Sequence, residues 1–239
     1  MRVVMWSGPR NLSTAMMRSF GARSDCDVVD EPFYAAYLAA SGVDHQMREA
    51  VLASQPQDPA KVARACAAPP LLGRIRYEKH MTHHMLPDFP LDWMDGARVA
   101  FLIRDPREVA ASYAAKREVF GLEDLGVARQ AELYEEATAR LGAPPPVVDA
   151  ADLRRAPEAT LRALCAALGL PFEPAMLSWP PGPQPTDGVW AAHWYGSVLA
   201  STGFAPPAAS PPRLDADAER RVAPAMSLYR RLHARRVGA

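Results

Sequence analysis

The chain has 239 residues, 49% of them hydrophobic and 23% charged, with 27 Lys plus Arg against 27 Asp plus Glu. That length and composition fit one α/β domain able to bury its own core, and zero net charge lacks the basic excess of a nucleic-acid binder. Three cysteines without motif spacing exclude a disulfide framework and a cysteine zinc site, and no apolar run approaches the ~20 residues of a membrane span.

Arg2–Trp6 (RVVMW) is a short run of strand formers, followed by the turn Ser-Gly-Pro-Arg-Asn and the helical LSTAMMRSF. No signal peptide is expected at the N-terminus, because its apolar stretch is short and runs straight into that turn. With sparse cysteines that suit a reducing compartment, a cytoplasmic protein is expected. Cys26–Asp30 is a second strand, ended by Glu31-Pro32. Residues 33–68 are helical in pieces, broken near Gly42 and Pro56–Pro59, and Leu71–Tyr77 is a weaker third strand.

Arg98–Arg104 (RVAFLIR) is a strong buried strand. Asp105-Pro106-Arg107-Glu108 then starts a helix reaching about Val119, with Asp at the N-cap, Pro at N1 and Glu at N3 as in a capping box. Leu122–Leu141 and Pro157–Leu168 are helices, Pro146–Val148 an edge strand, and Asp215–Arg235 a final amphipathic helix. Many of the 24 prolines fall late, but Trp190, Trp194 and Phe204 lie among them, which predicts ordered loops over the body. Alternating strands and helices predict a single domain over residues 1–239, with a mainly parallel sheet flanked by helices. Ligands bind such sheets beyond the carboxyl ends of the strands, where Arg10, Glu31 and Arg104 fall.

The segment from Ser7 to Phe20 carries the strongest chemical signal. A turn entering a helix leaves backbone N–H groups without partners, and these favour a bound anion. Ser13 and Thr14 add hydroxyls and Arg10 a forked cation. The loop is not a Walker motif. Counted from Gly8, the second glycine slot holds Ser13 and the lysine slot holds Thr14, so a kinase-like reaction loses its main parts.

Pro9-Arg10-Asn11-Leu12-Ser13-Thr14 instead resembles the 5′-phosphosulfate loop of the PAPS-dependent sulfotransferases, P-[KR]-x-x-[ST]-[ST]. That resemblance implies the P-loop NTPase-like sulfotransferase fold, in its bacterial small-molecule type. It implies that Gly8, Pro9, Arg10, Asn11, Ser13 and Thr14 hold the 5′-phosphate, with Arg10 also stabilising the leaving oxygen. The family's second signature, an arginine ending a strand and a serine in the next helix that grip the 3′-phosphate, is similar to Arg104 and Ser112, eight residues apart. Two turns of helix can return Ser112 towards Arg104. Asp187-Gly188-Val189-Trp190 resembles the family's late glycine-tryptophan segment, which implies that Gly188 and Trp190 lie near the nucleotide; the family's Arg-Lys-Gly is absent there.

Sulfuryl transfer needs a base for the acceptor proton. Glu31, beyond the second strand, resembles the glutamate base of several members, and Asp30 would serve if the register were shifted by one. The alternative lies in Lys79-His80-Met81-Thr82-His83-His84, similar to the family's Lys-x-His, where His80 or His83 would act. The same histidine spacing would admit a metal on one helical face, but nothing completes a ligand set, and no metal is expected.

The expected function is therefore transfer of a sulfuryl group from PAPS, leaving PAP, to a hydroxyl or amine of a small-molecule acceptor. No nucleic acid or membrane partner is expected, and the protein is read as a monomer or homodimer. A P-loop kinase-like phosphotransferase and a non-catalytic nucleotide-binding protein are the competing readings.

Overall fold

The structure is a computed structural model describing residues 1–115, 120–208 and 212–238. Strand β1 (Arg2–Ser7) pairs in parallel with β3 (Ile75–Met81) on one side and β4 (Arg98–Ile103) on the other. Strand β2 (Cys26–Asp30) flanks β3, and β5 (Val147–Asp149) flanks β4, giving the all-parallel order β2-β3-β1-β4-β5. A central parallel strand is covered on both faces, which is why RVVMW and RVAFLI are nearly continuous apolar runs.

Alternate residues of these strands feed two cores. Val4, Trp6, Val99, Phe101 and Ile103 face one, and Val3, Met5, Ala100 and Leu102 the other. Helix α1 (Ser13–Gly21) and α2 (Tyr34–Ser41) contribute to the second core. After α3 (Arg48–Ser54), α4 (Pro59–Ala67) and α5 (Pro106–Ala115) join the first. Helix α6 (Val127–Leu141) lies there too. After α7 (Ala150–Arg155), α8 (Pro157–Leu168) packs on the second core. Two one-turn helices, α9 (Ala191–Trp194) and α10 (Gly196–Leu199), precede the last helix, α11 (Ala216–His233), which lies on the first core. Among the described residues no helix is long and apolar enough to cross a membrane.

Three local expectations need correction. The third strand is Ile75–Met81 rather than 71–77, and Leu71 and Leu72 are 76% and 102% exposed. A polar stretch can be a buried strand here because its charges satisfy one another. Arg76 Nε donates to Glu78 Oε1 at 2.8 Å, and His80 Nε2 lies 3.1 Å from Glu78 Oε2. Cys66 lies in the same knot, its ligand atom and those of Glu78 and His80 all within 4.8 Å of one another. The guanidinium groups of Arg2 and Arg76 both donate to the Cys66 carbonyl, so this knot already holds two cations and is poorly suited to a third.

The helix expected over 122–141 breaks at Gly126, whose φ of 69° separates a 3₁₀ turn, Glu123–Leu125, from α6. At α5, Asp105 Oδ1 does cap the Arg107 N–H at 2.8 Å, but Glu108 turns to Arg104 instead of closing a capping box. Residues 116–119 of that expected helix lie outside the described residues. The proline-rich segment is ordered by specific bonds, among them Trp179 N to the Thr202 carbonyl at 3.1 Å and Gly182 N to that of Leu199 at 2.7 Å. Its residues 209–211 lie outside the described residues.

Candidate active site

The carboxyl ends of β1, β2, β3 and β4 meet at one edge of the sheet, and the chemistry-bearing residues collect there. The loop from Gly8 to Leu12 joins β1 to α1, and Arg10 and Leu12 have φ of 58° and 63°. Left-handed backbone costs a residue with a Cβ roughly 1–2 kcal/mol, so the surrounding structure must hold this turn. It does so through three ties. Asn11 Nδ2 donates to the Leu102 carbonyl at 3.2 Å, Arg104 Nη1 donates to the Arg10 carbonyl at 2.6 Å, and Gly126 backs onto Gly8 and Pro9. Helix α1 has no side-chain cap, and its Leu12 carbonyl accepts from Met16 N at 3.0 Å. The N–H groups of Ser13, Thr14 and Ala15 thus lack intrahelical acceptors and point at the loop.

A Cβ on Gly126 would sit 2.5 Å from Pro9 Cδ and 3.2 Å from Gly8 Cα. Gly126→Ala is therefore expected to destabilise the protein by about 1–3 kcal/mol, from the positive φ and the clash together. A thermal melt would read this as several degrees; an unchanged midpoint would show that the turn and the loop do not press on each other.

The motifs around Arg10 and Arg104, remote in sequence, meet. Arg10 Nη1 donates to Ser112 Oγ at 3.4 Å, and the Arg10 guanidinium lies 4.3 Å over the Tyr113 ring. Arg104 is oriented from both ends, by the Arg10 carbonyl and by Glu108, whose Oε2 is 2.9 Å from its Nε. Ser13 and Thr14 are buried at the start of α1, with Ser13 Oγ 3.9 Å from Met81 Sδ at the end of β3.

Two strands away on the other side of β1, a second cluster forms around Lys79. Its side chain is fully buried, and Nζ donates to Asp30 Oδ1 at 2.9 Å, to Tyr195 Oη at 2.6 Å and to Glu31 Oε1. Burial works against the Lys79 cation, but Asp30 and Glu31 outweigh it and hold its pKa well above the usual range. One cation cannot balance two buried carboxylates. Burial accordingly pushes Glu31 up to about 7, with Lys79 pulling down and Asp30 pushing further up. Glu31 itself has φ of 43° and gives the last N–H of the β2–β3 ladder, to the Lys79 carbonyl at 2.9 Å.

The late segment closes this cluster. Arg18 of α1 holds Asp187 bidentately at 2.6 and 2.7 Å, Gly188 N donates to Asp30 Oδ2 at 3.2 Å, and Trp190 Nε1 donates to Tyr195 Oη at 3.1 Å. The structure thus joins Gly188 and the buried Trp190 to the β2 end of the site, with these polar groups engaged by protein.

Of the two candidate histidines, His80 is not brought to this edge. Successive residues of a strand face opposite ways, so His80 points away from Lys79, stacks on Trp93 at 4.7 Å and lies 4.9 Å from Trp6. His83 and His84 occupy the 3₁₀ turn Thr82–His84 after β3. His83 is half-buried against Tyr37, while the buried His84 places Nδ1 3.7 Å from Glu31 Oε2. Desolvation, helped by neighbouring histidines and Lys79, lowers the pKa of both rings. An open depression at the opposite end of the sheet, lined by Met1, Arg98, Arg140 and Pro145, holds none of these groups.

Sequence reasoning placed Tyr195 only in an aromatic cluster of an acceptor pocket, saw His84 only as part of a histidine cluster, and saw Lys79 only as the start of a motif. The available signal for Lys79 was a lysine one strand period from Tyr77 and Met81, both apolar.

The description "sulfotransferase domain" belongs to the family model that matches residues 1–236. Two Arabidopsis thaliana proteins, branched-chain-amino-acid aminotransferase-like proteins 2 and 1, are 39% and 41% identical over 202 residues, covering 84% of this chain and 36% of each relative. The chain therefore spans about a third of the length of these curated relatives. The sulfotransferase domain from the curacin biosynthetic pathway superposes with a TM-score of 0.52 at 16% identity, over 99% of this chain and 92% of that one. The sulfotransferase domain from the Synechococcus PCC 7002 olefin synthase gives 0.53 at 16%, over 94% of each. At that identity the likeness is one of fold, and it matches the parallel sheet and its flanking helices.

Proposed function

Because this chain belongs to the sulfotransferase domain family, we propose that it transfers a sulfuryl group from PAPS to a hydroxyl or amine of a small-molecule acceptor. The observation that carries the nucleotide reading is the meeting of Arg10, Arg104 and Ser112, residues of two separated motifs tied by bonds of 2.6 and 3.4 Å. Two guanidinium groups beside an uncapped helix N-terminus suit a ligand with two phosphates. In this reading Ser13, Thr14 and the open N–H groups of α1 hold the 5′-phosphate, lined by Gly8, Pro9 and Asn11. Arg104 and Ser112 hold the 3′-phosphate.

The acceptor oxygen or nitrogen attacks sulfur as the bond from sulfur to the 5′-phosphate oxygen breaks, and PAP leaves. Arg10 stabilises the charge gathering on that leaving oxygen. Glu31, partly protonated near neutrality and thus able to exchange a proton there, takes the acceptor's proton. Gly188 and Trp190 serve this reaction by fixing Asp30 and Tyr195, and through them Lys79 and Glu31.

The test is thermal stabilisation by PAP against ADP, each with and without magnesium. A ligand at one hundred times its Kd stabilises by about 2.7 kcal/mol, roughly 5–10 °C for a chain of this size. PAP should give that shift without magnesium, and Arg104→Ala should remove it. A shift with magnesium-ADP alone would put a kinase-like phosphotransferase in place of this reading.

A further inference from the structure

The two oxygens of the Glu31 carboxylate have different surroundings. Oε1 is tied to Lys79. Oε2 faces His84 Nδ1 across 3.7 Å, beyond hydrogen-bond length. His84 is buried, and its Nδ1 has no hydrogen-bond partner. Buried ring nitrogens are ordinarily satisfied, and an exception calls for a reason. The ring is also held firmly in place. It stacks on Tyr34 at 4.2 Å and 16° and on Tyr37 at 5.0 Å and 23°, with His83 edge-on at 4.3 Å. Desolvation lowers the pKa of this imidazole well below the usual histidine value and so favours its neutral form, with His83 and Lys79 acting in the same direction.

We propose that His84 is a positioning residue for Glu31: a fixed, uncharged wall that keeps the free oxygen of the carboxylate aimed and unhydrated until the acceptor's O–H or N–H group enters the gap between them. This rests on reading Glu31 as the base. Water in that gap would hydrogen-bond the carboxylate and lower its basicity, and a cation there would lower it further. A neutral ring does neither.

The other titratable groups around Glu31 are Lys79 from β3, Asp30 from β2, Tyr34 from α2 and Tyr195 beyond α9. Lys79 is committed to Oε1 and Asp30, and Tyr195 to Asp30, so His84 is what stands before Oε2. On transfer the acceptor's O–H or N–H bond breaks and its proton bonds to Oε2, while the acceptor's bond to sulfur forms as that from sulfur to the 5′-phosphate oxygen breaks and PAP leaves. His84 gains no proton in this step.

The experiment follows the side-chain carboxyl ¹³C resonance of Glu31 through pH, assigned by its loss in Glu31→Gln. In the wild type the midpoint should lie near 7. His84→Ala opens the gap to water and should lower the midpoint by about one pH unit or more. His84→Asn, whose amide can stand near the place of Nδ1, should lower it by less than half as much. The acid limb of PAP release from PAPS should move in the same direction.

A purely structural role would not move this midpoint in a variant that keeps its thermal transition and its PAP-induced shift. An unmoved midpoint in folded His84→Ala, or one that falls as far in His84→Asn as in His84→Ala, therefore overturns the inference. If Glu31→Gln still releases PAP at the wild-type rate, the base reading fails and takes this inference with it. If Glu31→Gln is inactive and the His84 variants titrate like wild type, only the role of His84 is lost.

Discussion

Replacing Arg10 by methionine is expected to slow PAP release from PAPS by about three orders of magnitude, measured with a panel of hydroxyl and amine acceptors. Methionine keeps much of the length of the side chain and removes only its charge and its donors. The bisphosphate should bind nearly as before, because Arg104, Ser112 and the open N–H groups of α1 remain. Arg10 is suited to act on the transferring group because of where the backbone puts it. It sits mid-loop with φ of 58°, its carbonyl is fixed by Arg104, and its guanidinium is steadied by the Tyr113 ring and Ser112. Arg10→Lys keeps the charge but loses the fork, and should recover part of the rate. A loss of PAP binding equal to the loss of rate would instead make Arg10 a binding residue with no special part in the transition state.

The half of the site around Arg10 was legible in the sequence because each of its parts is a local signal. An apolar run, a Pro-Arg turn and a hydroxyl pair mark β1, the loop and α1, and Asp105-Pro106 marks the start of α5 within a residue of where it lies. The half around Glu31 was not. Lys79, Asp30 and Tyr195 come from three segments up to 165 residues apart, and no local pattern reports that they meet.

Strand β3 hid the cluster further. Its inward residues include Lys79 and Glu78, so apolar periodicity favoured the preceding Leu71 and Leu72, which the fold leaves in solvent. Reading Lys79 to His84 as one helical stretch put His80 and His83 on the same face. In the strand and turn they actually form, His80 goes to the core between Trp6 and Trp93, while His84 goes to Glu31. Gly126 was hidden for a different reason. Its requirement comes from contact with Pro9, more than a hundred residues earlier in the chain, and nothing next to it in sequence signals that contact.

Glu31→Gln is expected to lower kcat by roughly 10²–10⁴-fold, the span that removal of a general base produces, while making the protein more stable at high pH. Both effects come from one cause. Burial raises the folded-state pKa of Glu31 from 4.5 to about 7, so the native state prefers the protonated carboxyl. That preference stabilises the fold fully below the unfolded value and is lost as the pH rises through the folded one. Wild-type stability should therefore fall relative to the glutamine variant between about pH 4.5 and 7. The change should approach about 3 kcal/mol, read as a growing gap between the denaturant midpoints.

Catalysis needs the opposite form. The ionised carboxylate accepts the proton, so the rate should rise over the same interval in which stability declines. Glutamine keeps the shape of the side chain and leaves Lys79 with Asp30 as its counter-ion, so loss of activity cannot be put down to collapse of the cluster. A variant that keeps its rate within tenfold would show that Glu31 is not the group that takes the proton, and a stability gap that does not change with pH would show that burial does not raise its pKa. A gap that widens with rising pH, in a variant that has lost its rate, would mean that this fold gives up stability at Glu31 in order to keep a base there.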